Sequence, residues 1–157
     1  MVPEGNHLVP LGIADVKRCG SDVTVVALGY YVRESLAVAQ ELADEGISVE
    51  VIDPRTLIPL DVKTIRASVR KTGRLVVVDE APPTCSAASE IAALAVEDPD
   101  TFASLKAPVQ RVCGATVPIP YSPGLEDAAL PKREDITDAV RGVMDVELLR
   151  RSVKTPA

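Results

Sequence analysis

The sequence has no tryptophan, one phenylalanine and three tyrosines, an aromatic share of 3%. A core so poor in rings must be filled by Val, Leu, Ile and Ala. That favours α/β layering and leaves no platform for stacking nucleic-acid bases. Positive charge is also scarce: 17 Lys and Arg stand against 23 Asp and Glu, a formal net charge of −6. Such a chain is not steered towards phosphates or anionic lipid, so neither nucleic acid nor a membrane surface is an expected partner. Histidine occurs once, as His7, and the three cysteines Cys19, Cys85 and Cys113 are scattered. None of these share a metal-binding spacing and no C-x-x-C occurs, so no metal site is expected. The cysteines read as reduced, mostly buried thiols of a cytosolic protein. The first residues have neither the basic nor the apolar region of a signal peptide. No apolar run approaches the roughly 20 residues that span a bilayer. The expected location is the cytoplasm, or the mitochondrial matrix in a eukaryote.

What is present is an alternation of β-branched runs with helix-period segments. Residues 22–28 form a near-continuous apolar run, as in a strand covered on both faces. After Gly29, the residues Val32, Leu36, Ala39 and Ala43 recur at helical spacing, and Gly46 stands where a left-handed C′ residue belongs. Residues 47–53 give a second strand. Residues 54–60 carry prolines at both ends and read as an extended connection. Asp61 caps a short helix bearing Val62, Ile65 and Val69 and closed by Gly73. A third strand follows at 74–78, then a loop, then a helix with Ile91, Leu94 and Ala95 inward that stops before Pro99. Residues 109–113 read as a fourth strand, and 117–130, broken by Pro118, Pro120 and Pro123, as irregular. A last helix begins at Glu134-Asp135 with Ile136, Val140 and Val143 on one face. The expected fold is one three-layer αβα sandwich with a mainly parallel sheet over residues 13–149, and residues 150–157 as a loose tail.

In an open parallel sheet, ligands gather beyond the C-terminal ends of the strands. The candidates there are 29–31, 53–56, Asp79-Glu80 and 84–86. Adjacent residues leaving a strand point to opposite sides, so Asp79 and Glu80 are better suited to bonding loop amides than to sharing a proton. Cys85 precedes a helix N-terminus, where a dipole lowers a thiol pKa, but no base is marked as its partner and a structural thiol is expected. His7 lies in a Pro- and Gly-flanked segment, outside any motif. Neither G-x-G-x-x-G, nor G-x-x-x-x-G-K-[ST], nor a G-x-S-x-G elbow occurs, and no histidine serves Ser35, Ser68 or Ser86. Arg55 and Arg74 remain as a pair that could clamp a small anion at the strand ends. No catalytic residue, cofactor-binding residue or metal ligand is expected.

Read as strings, several segments are distinctive. They are Pro10-Leu11-Gly12-Ile13-Ala14-Asp15-Val16, then 20–26, the run from Glu45-Gly46-Ile47 through Asp53-Pro54-Arg55-Thr56-Leu57-Ile58-Pro59-Leu60-Asp61, the run 68–80, and 105–112. In order and spacing, from about residue 3 to 143, the chain resembles the C-terminal, transketolase-type domain of the β subunit of thiamine-diphosphate-dependent 2-oxo acid dehydrogenases. Pyruvate, branched-chain 2-oxo acid and acetoin dehydrogenases share that domain. The resemblance implies that the preceding domain of the β subunit binds the pyrimidine half of the cofactor and supplies the catalytic histidine. The α subunit holds the diphosphate and magnesium ion. This chain would bind no cofactor itself, residues 1–12 would be an interdomain linker carrying His7, and Met1 would start an excised domain or a split or truncated gene product.

The resemblance also implies partners: α and β subunits of the same enzyme and the docking domain of a dihydrolipoyl acyltransferase; whether the isolated chain forms a homodimer through an exposed former interface stays open in the sequence. Glu97, Asp98 and Asp100, with Glu126 and Asp127, are candidate docking residues, since complementary charge sets register against a basic partner. The expected function is a non-catalytic assembly domain. A stand-alone module binding small anions near Arg55 and Arg74 is the alternative. One departure stands out: where the family has a Gly-rich turn before the helix containing Glu90, this chain has Thr84-Cys85-Ser86-Ala87-Ala88-Ser89.

Overall fold

The structure is a computed structural model and describes Gly5 and residues 8–146. His7 and the expected tail 150–157 lie outside the described residues. Five strands, β1 (Asp15–Arg18), β2 (Val23–Ala27), β3 (Val49–Asp53), β4 (Leu75–Val78) and β5 (Gln110–Val112), form one sheet in the order β1-β3-β2-β4-β5. All neighbours are parallel except β1, which runs antiparallel to β3. The expected mainly parallel sheet is what the chain forms. The antiparallel edge strand is an addition, for β1 was not expected.

Helix α1 (Tyr31–Asp44) crosses from β2 to β3, and α2 (Val62–Thr72) crosses back over β2 to β4. Helices α3 (Ala87–Val96) and α4 (Pro99–Ser104) lead from β4 to β5, and α5 (Pro123–Ala129) and α6 (Arg133–Met144) close the chain. The pleat of the central strands sorts the core. Val25, Val76 and Val78 pack with Val38, Leu42, Ile136 and Val140 of α1 and α6. Val26, Leu75 and Val77 pack with Ile65, Val69, Ile91 and Ala95 of α2 and α3. Both faces of β4 are therefore dry, and each fully buried Val or Leu there contributes about 1.5–3 kcal/mol.

The α2 signals work as the sequence indicates. The Asp61 carboxylate accepts from the Thr64 amide at 3.0 Å, and Gly73 ends the helix at φ 75°. Two expectations are corrected and one short helix is added. The stretch 117–130 is not wholly irregular, because Pro123 occupies the first turn of α5, a position where its missing N–H costs nothing. Beyond the stop before Pro99, Asp98 caps α4 through the Thr101 amide at 2.9 Å. The cysteines are not mostly buried: Cys19 and Cys85 are exposed and Cys113 is half-buried. Burial pushes the Cys113 thiol up from its ordinary pKa, with the Asp79 carboxylate adding to the effect.

Candidate functional site

Strand order reverses between β2 and β4, because the chain goes from β2 to β3 on one side and then to β4 on the other. Loops diverging there open a crevice at the C-terminal edge of the sheet. A cleft of about 400 Å³ lies at that point, lined by Leu28, Gly29 and Leu57 on one side and Asp79, Glu80 and Cys85 on the other. Beside it, a cleft of about 420 Å³ is bounded by Val9, Leu28, Asp53, Arg55 and Thr56. A third, of about 360 Å³, lies between Tyr30, Tyr31 and Glu34 of the α1 N-terminus and Glu126, Asp127 and Arg133.

Most polar groups lining the two switch-point clefts are committed to the protein, exposed Glu80 excepted. Asp79 is buried, and its two oxygens accept from the amides of Ala81 at 3.1 Å and Ala88 at 3.2 Å. Glu80, the next residue, is exposed, so the pair is split to opposite sides as the strand geometry requires. Asp53 accepts from the Arg55 amide at 2.9 Å, while the Arg55 guanidinium pairs with Asp15 at 2.7 Å. The hydrogen bond and charge of Lys17, with Arg55, hold the Asp15 carboxyl below its ordinary range despite some burial. Tyr31 is buried and donates to the Pro131 carbonyl at 3.3 Å. Burial above all, with the Glu80 and Glu34 charges, pushes its phenol up to about 12, so it remains protonated at neutral pH.

Two loop residues other than glycine adopt left-handed backbone here, Arg55 at φ 59° and Cys85 at φ 56°. Cys85 stands where the family's Gly-rich turn would be, so the turn keeps a glycine-type conformation without glycine, at a cost of about 1–2 kcal/mol. Ser86 then caps α3 through the Ser89 amide at 3.2 Å.

The anion clamp suggested by Arg55 and Arg74 does not form. Arg55 follows β3 at the C-terminal edge, whereas Arg74 precedes β4 at the opposite edge. There it donates to the Val143 carbonyl at 2.8 Å and the Asp22 carbonyl at 3.2 Å. The docking candidates are separated too. Glu97, Asp98 and Asp100 lie at the α3–α4 junction, below the N-terminal ends of the strands, while Glu126 and Asp127 lie on α5 above their C-terminal ends. Asp98 is further occupied by Thr101 and by Arg70 at 3.1 Å, and Asp127 pairs with Lys132. No single surface contains all five.

Thiamine diphosphate and its metal find no fit at this edge. The guanidinium beside the two switch-point clefts, Arg55, is already paired, as is Arg133 in the third cleft, and the switch-point cleft is lined by Asp79 and Glu80, the wrong charge for a diphosphate. Among the described residues, no three His, Cys, Asp or Glu side chains converge as a metal site. What the edge does offer is apolar surface. Leu8 is 87% exposed, Leu11 77%, Ile58 94% and Tyr121 fully exposed, with Val9, Ile13, Leu57, Val117, Ile119 and Leu125 about half to two-thirds exposed. The sequence marked these positions only as loop, and the information that gathers them is the strand order. An apolar edge of this extent is the signature of a contact surface.

Comparison with known proteins agrees with the geometry. The family model for the transketolase C-terminal domain matches residues 12–136. The chain is 46% identical over 143 residues to the acetoin:2,6-dichlorophenolindophenol oxidoreductase subunit beta of Cupriavidus necator, covering 91% of this chain and 42% of that protein. It is 48% identical over 136 residues to the mitochondrial pyruvate dehydrogenase E1 component subunit beta-1 of Arabidopsis thaliana, covering 87% and 37% respectively. A solved structure described as a split gene transketolase, inactive beta4 tetramer, superposes with a TM-score of 0.74 at 28% identity, over 87% of this chain and 43% of that one. The chain thus spans about two-fifths of the length of the curated relatives it matches. No helix among the described residues is long and apolar enough to cross a membrane.

Proposed function

Since the chain belongs to the transketolase C-terminal domain family, we propose that it is the non-catalytic assembly domain of the β subunit of a 2-oxo acid or acetoin dehydrogenase. The observation that carries this reading is the C-terminal edge of the sheet. Among its charged groups, Asp79, Asp53, Asp15 and Arg55 are spent on backbone amides and internal ion pairs, and its apolar side chains face solvent. A catalytic edge would have the reverse arrangement, with titratable groups free to act and apolar groups withdrawn. Decarboxylation and acyl transfer to lipoamide then belong to the whole enzyme. The partner classes are an α subunit and other β subunits, consistent with relatives named as β subunits. Thiamine diphosphate is held by other domains of that enzyme.

For docking to an acyltransferase core, the exposed acids Glu97 and Asp100 are better placed than Asp98, which caps α4. Glu126 and Asp127, on the apolar edge, would instead rim a subunit contact. The anion-binding alternative is weakened by the separation of Arg55 from Arg74. Calorimetric titration of the chain with thiamine diphosphate and Mg²⁺ tests the reading: no heat of specific binding is expected, and tight stoichiometric binding would place cofactor chemistry in this domain.

A further inference from the structure

Between the sheet and α2, four side chains from three elements form one buried row of hydrogen bonds. Ser68 Oγ of α2 lies 2.5 Å from Glu50 Oε1 of β3. Thr24 Oγ1 of β2 lies 2.6 Å from Ser68 Oγ and 2.8 Å from Thr72 Oγ1. All four residues are buried, at 0–4% exposure. At the far end, Thr72 Oγ1 also lies 3.2 Å from the Ser68 carbonyl and 3.1 Å from the Arg74 carbonyl. Each hydroxyl has a single proton to donate, so the directions along the row are coupled. A carboxylate only accepts, so Ser68 donates to Glu50, Thr24 to Ser68 and Thr72 to Thr24. With a proton on Glu50 Oε1, every direction inverts. Glu50 then donates to Ser68, Ser68 to Thr24, Thr24 to Thr72, and Thr72 to one of the two carbonyls. No hydroxyl is left unbonded in either setting.

We infer that Glu50, Ser68, Thr24 and Thr72 form a reversible hydroxyl relay, a two-state switch that carries the protonation state of Glu50 from β3 across β2 to the end of α2. The device is independent of the assembly reading above. Its output lies at the α2–β4 connection, where the Thr72 carbonyl accepts from Lys106 Nζ at 3.3 Å and Gly73 turns the chain. At neutral pH the relay is set towards Glu50. Burial opposes charge there, but Lys71, Ser68 and the Gly20 amide outweigh it and hold the carboxyl below its ordinary range. Lys71 is the charge that meets Glu50 from the surrounding elements. On α2, Arg66 turns to the Leu94 carbonyl, Arg70 to Asp98, and Lys63 is exposed. Asp22, ahead of β2, binds the Ser48 amide, and Arg74, ahead of β4, binds the Asp22 and Val143 carbonyls. Arg18 of β1 pairs with Val51, which packs on the opposite face together with α1, and Cys19 is exposed. The relay is therefore thrown by acid or by loss of the Lys71 charge.

Glu50→Gln throws it at pH 7. The Gly20 amide and Lys71 both donate to Oε2, so the oxygen of the new amide is held there and its NH₂ faces Ser68. Neutron diffraction from deuterated crystals of the 157-residue chain locates the hydroxyl deuterons. The Thr72 deuteron should point to Thr24 in the wild type, and to the Ser68 or Arg74 carbonyl in Glu50→Gln. A deuteron on either carbonyl in the wild type, or on Thr24 in both proteins, overturns the inference. In solution, with circular dichroism to verify folding, the Thr72 side-chain resonances should shift with the same midpoint as the Glu50 carboxyl carbon as pH falls from 7. Thr24→Val should abolish that shift and Thr24→Ser should keep it. A wild-type Thr72 indifferent to the Glu50 titration overturns the relay, as does a shift that survives Thr24→Val.

Discussion

The two ends of the sheet are built to opposite rules. At the N-terminal ends of the strands, polar groups close on one another. Arg74 bridges two carbonyls, the Asp22 carboxylate accepts from the Ser48 amide at 2.8 Å, and the Lys106 amide donates to the Gly73 carbonyl at 2.8 Å. Buried Glu50 of β3 gathers the Ser68 hydroxyl at 2.5 Å, the Gly20 amide at 3.2 Å and the Lys71 ammonium. At the C-terminal ends, the loops keep two non-glycine residues in left-handed backbone and leave large apolar side chains in water. On the assembly reading, the difference separates a closed scaffold from a surface that a partner covers. Packing and satisfied polar groups stabilise the first in the isolated chain, and the second is completed only by contact.

Substitutions at the two ends therefore test the contrast, and the largest effect is expected at glycines. At Gly20 an added Cβ would meet backbone of Val49 and Glu50 at 2.3 Å, whereas at Gly29, φ 52°, nothing lies within 4 Å. Gly20→Ala should cost about 3 kcal/mol, because strand backbone has to move. Gly29→Ala should cost about 1 kcal/mol from left-handed strain alone. Chemical denaturation reads both, and equal losses would erase the distinction.

Next in size is Lys71→Met. Burial alone would raise the Glu50 pKa, but Lys71, Ser68 and the Gly20 amide outweigh it and hold the carboxyl below its ordinary 4.5. A carboxyl with a lowered folded pKa stabilises above the unfolded value and loses that contribution as pH falls through the folded one. The wild-type chain should accordingly lose stability below about pH 4.5. Lys71 is half exposed, so Lys71→Met should cost about 1–2 kcal/mol at pH 7, less than removal of a fully buried partner. Burial then weighs more heavily at Glu50, so the loss on acidification should become shallower, with Asp15, Glu34 and Asp61 still contributing. Parallel acid-unfolding curves for the two proteins would argue that Lys71 does not set the Glu50 charge.

Asp61→Ala acts at the C-terminal edge but through the frame of its loops. It removes the α2 cap and the acceptor of the Ala14 amide together, for about 1–2 kcal/mol by thermal denaturation. Asp61→Asn should recover most of this. The smallest effect belongs to Ile58→Ala, with the side chain 94% exposed: folding stability should change by less than about 0.5 kcal/mol. A large loss there would mean that Ile58 supports the fold rather than a contact.

These features were unequally legible in the sequence. The run from Asp61 to Gly73 carries its own cap, apolar stripe and stop, so α2 could be read locally. Strands β2 and β4 announce themselves because burial on both faces demands a nearly continuous apolar run, broken only by Thr24, whose hydroxyl bonds Ser68 and Thr72. Strand β1 could not be found that way. Asp15–Arg18 is a charged edge strand held by backbone pairing to β3, with a register shift between Val16 and Arg18. Helix α5 was obscured by Pro118 and Pro120, although Pro123 is itself a helix-start residue. The two acidic stretches offered as docking candidates lie apart for a topological reason: α3 carries one to the bottom of the sheet, and the return after β5 carries the other to the top. Exposure of Cys19 and Cys85 is likewise a tertiary property that composition cannot reveal. The family resemblance was legible over most of the chain because those strings follow the core order.

Hydrogen–deuterium exchange across a concentration series offers the most direct test of the contrast between the two ends. If the C-terminal edge is the contact surface, raising the concentration from nanomolar to tens of micromolar should slow exchange in peptides covering 8–13 and 55–60. Peptides covering 97–106 at the other end should remain unchanged. Protection confined to 97–106, with the 55–60 loop exchanging freely at every concentration, would contradict the account.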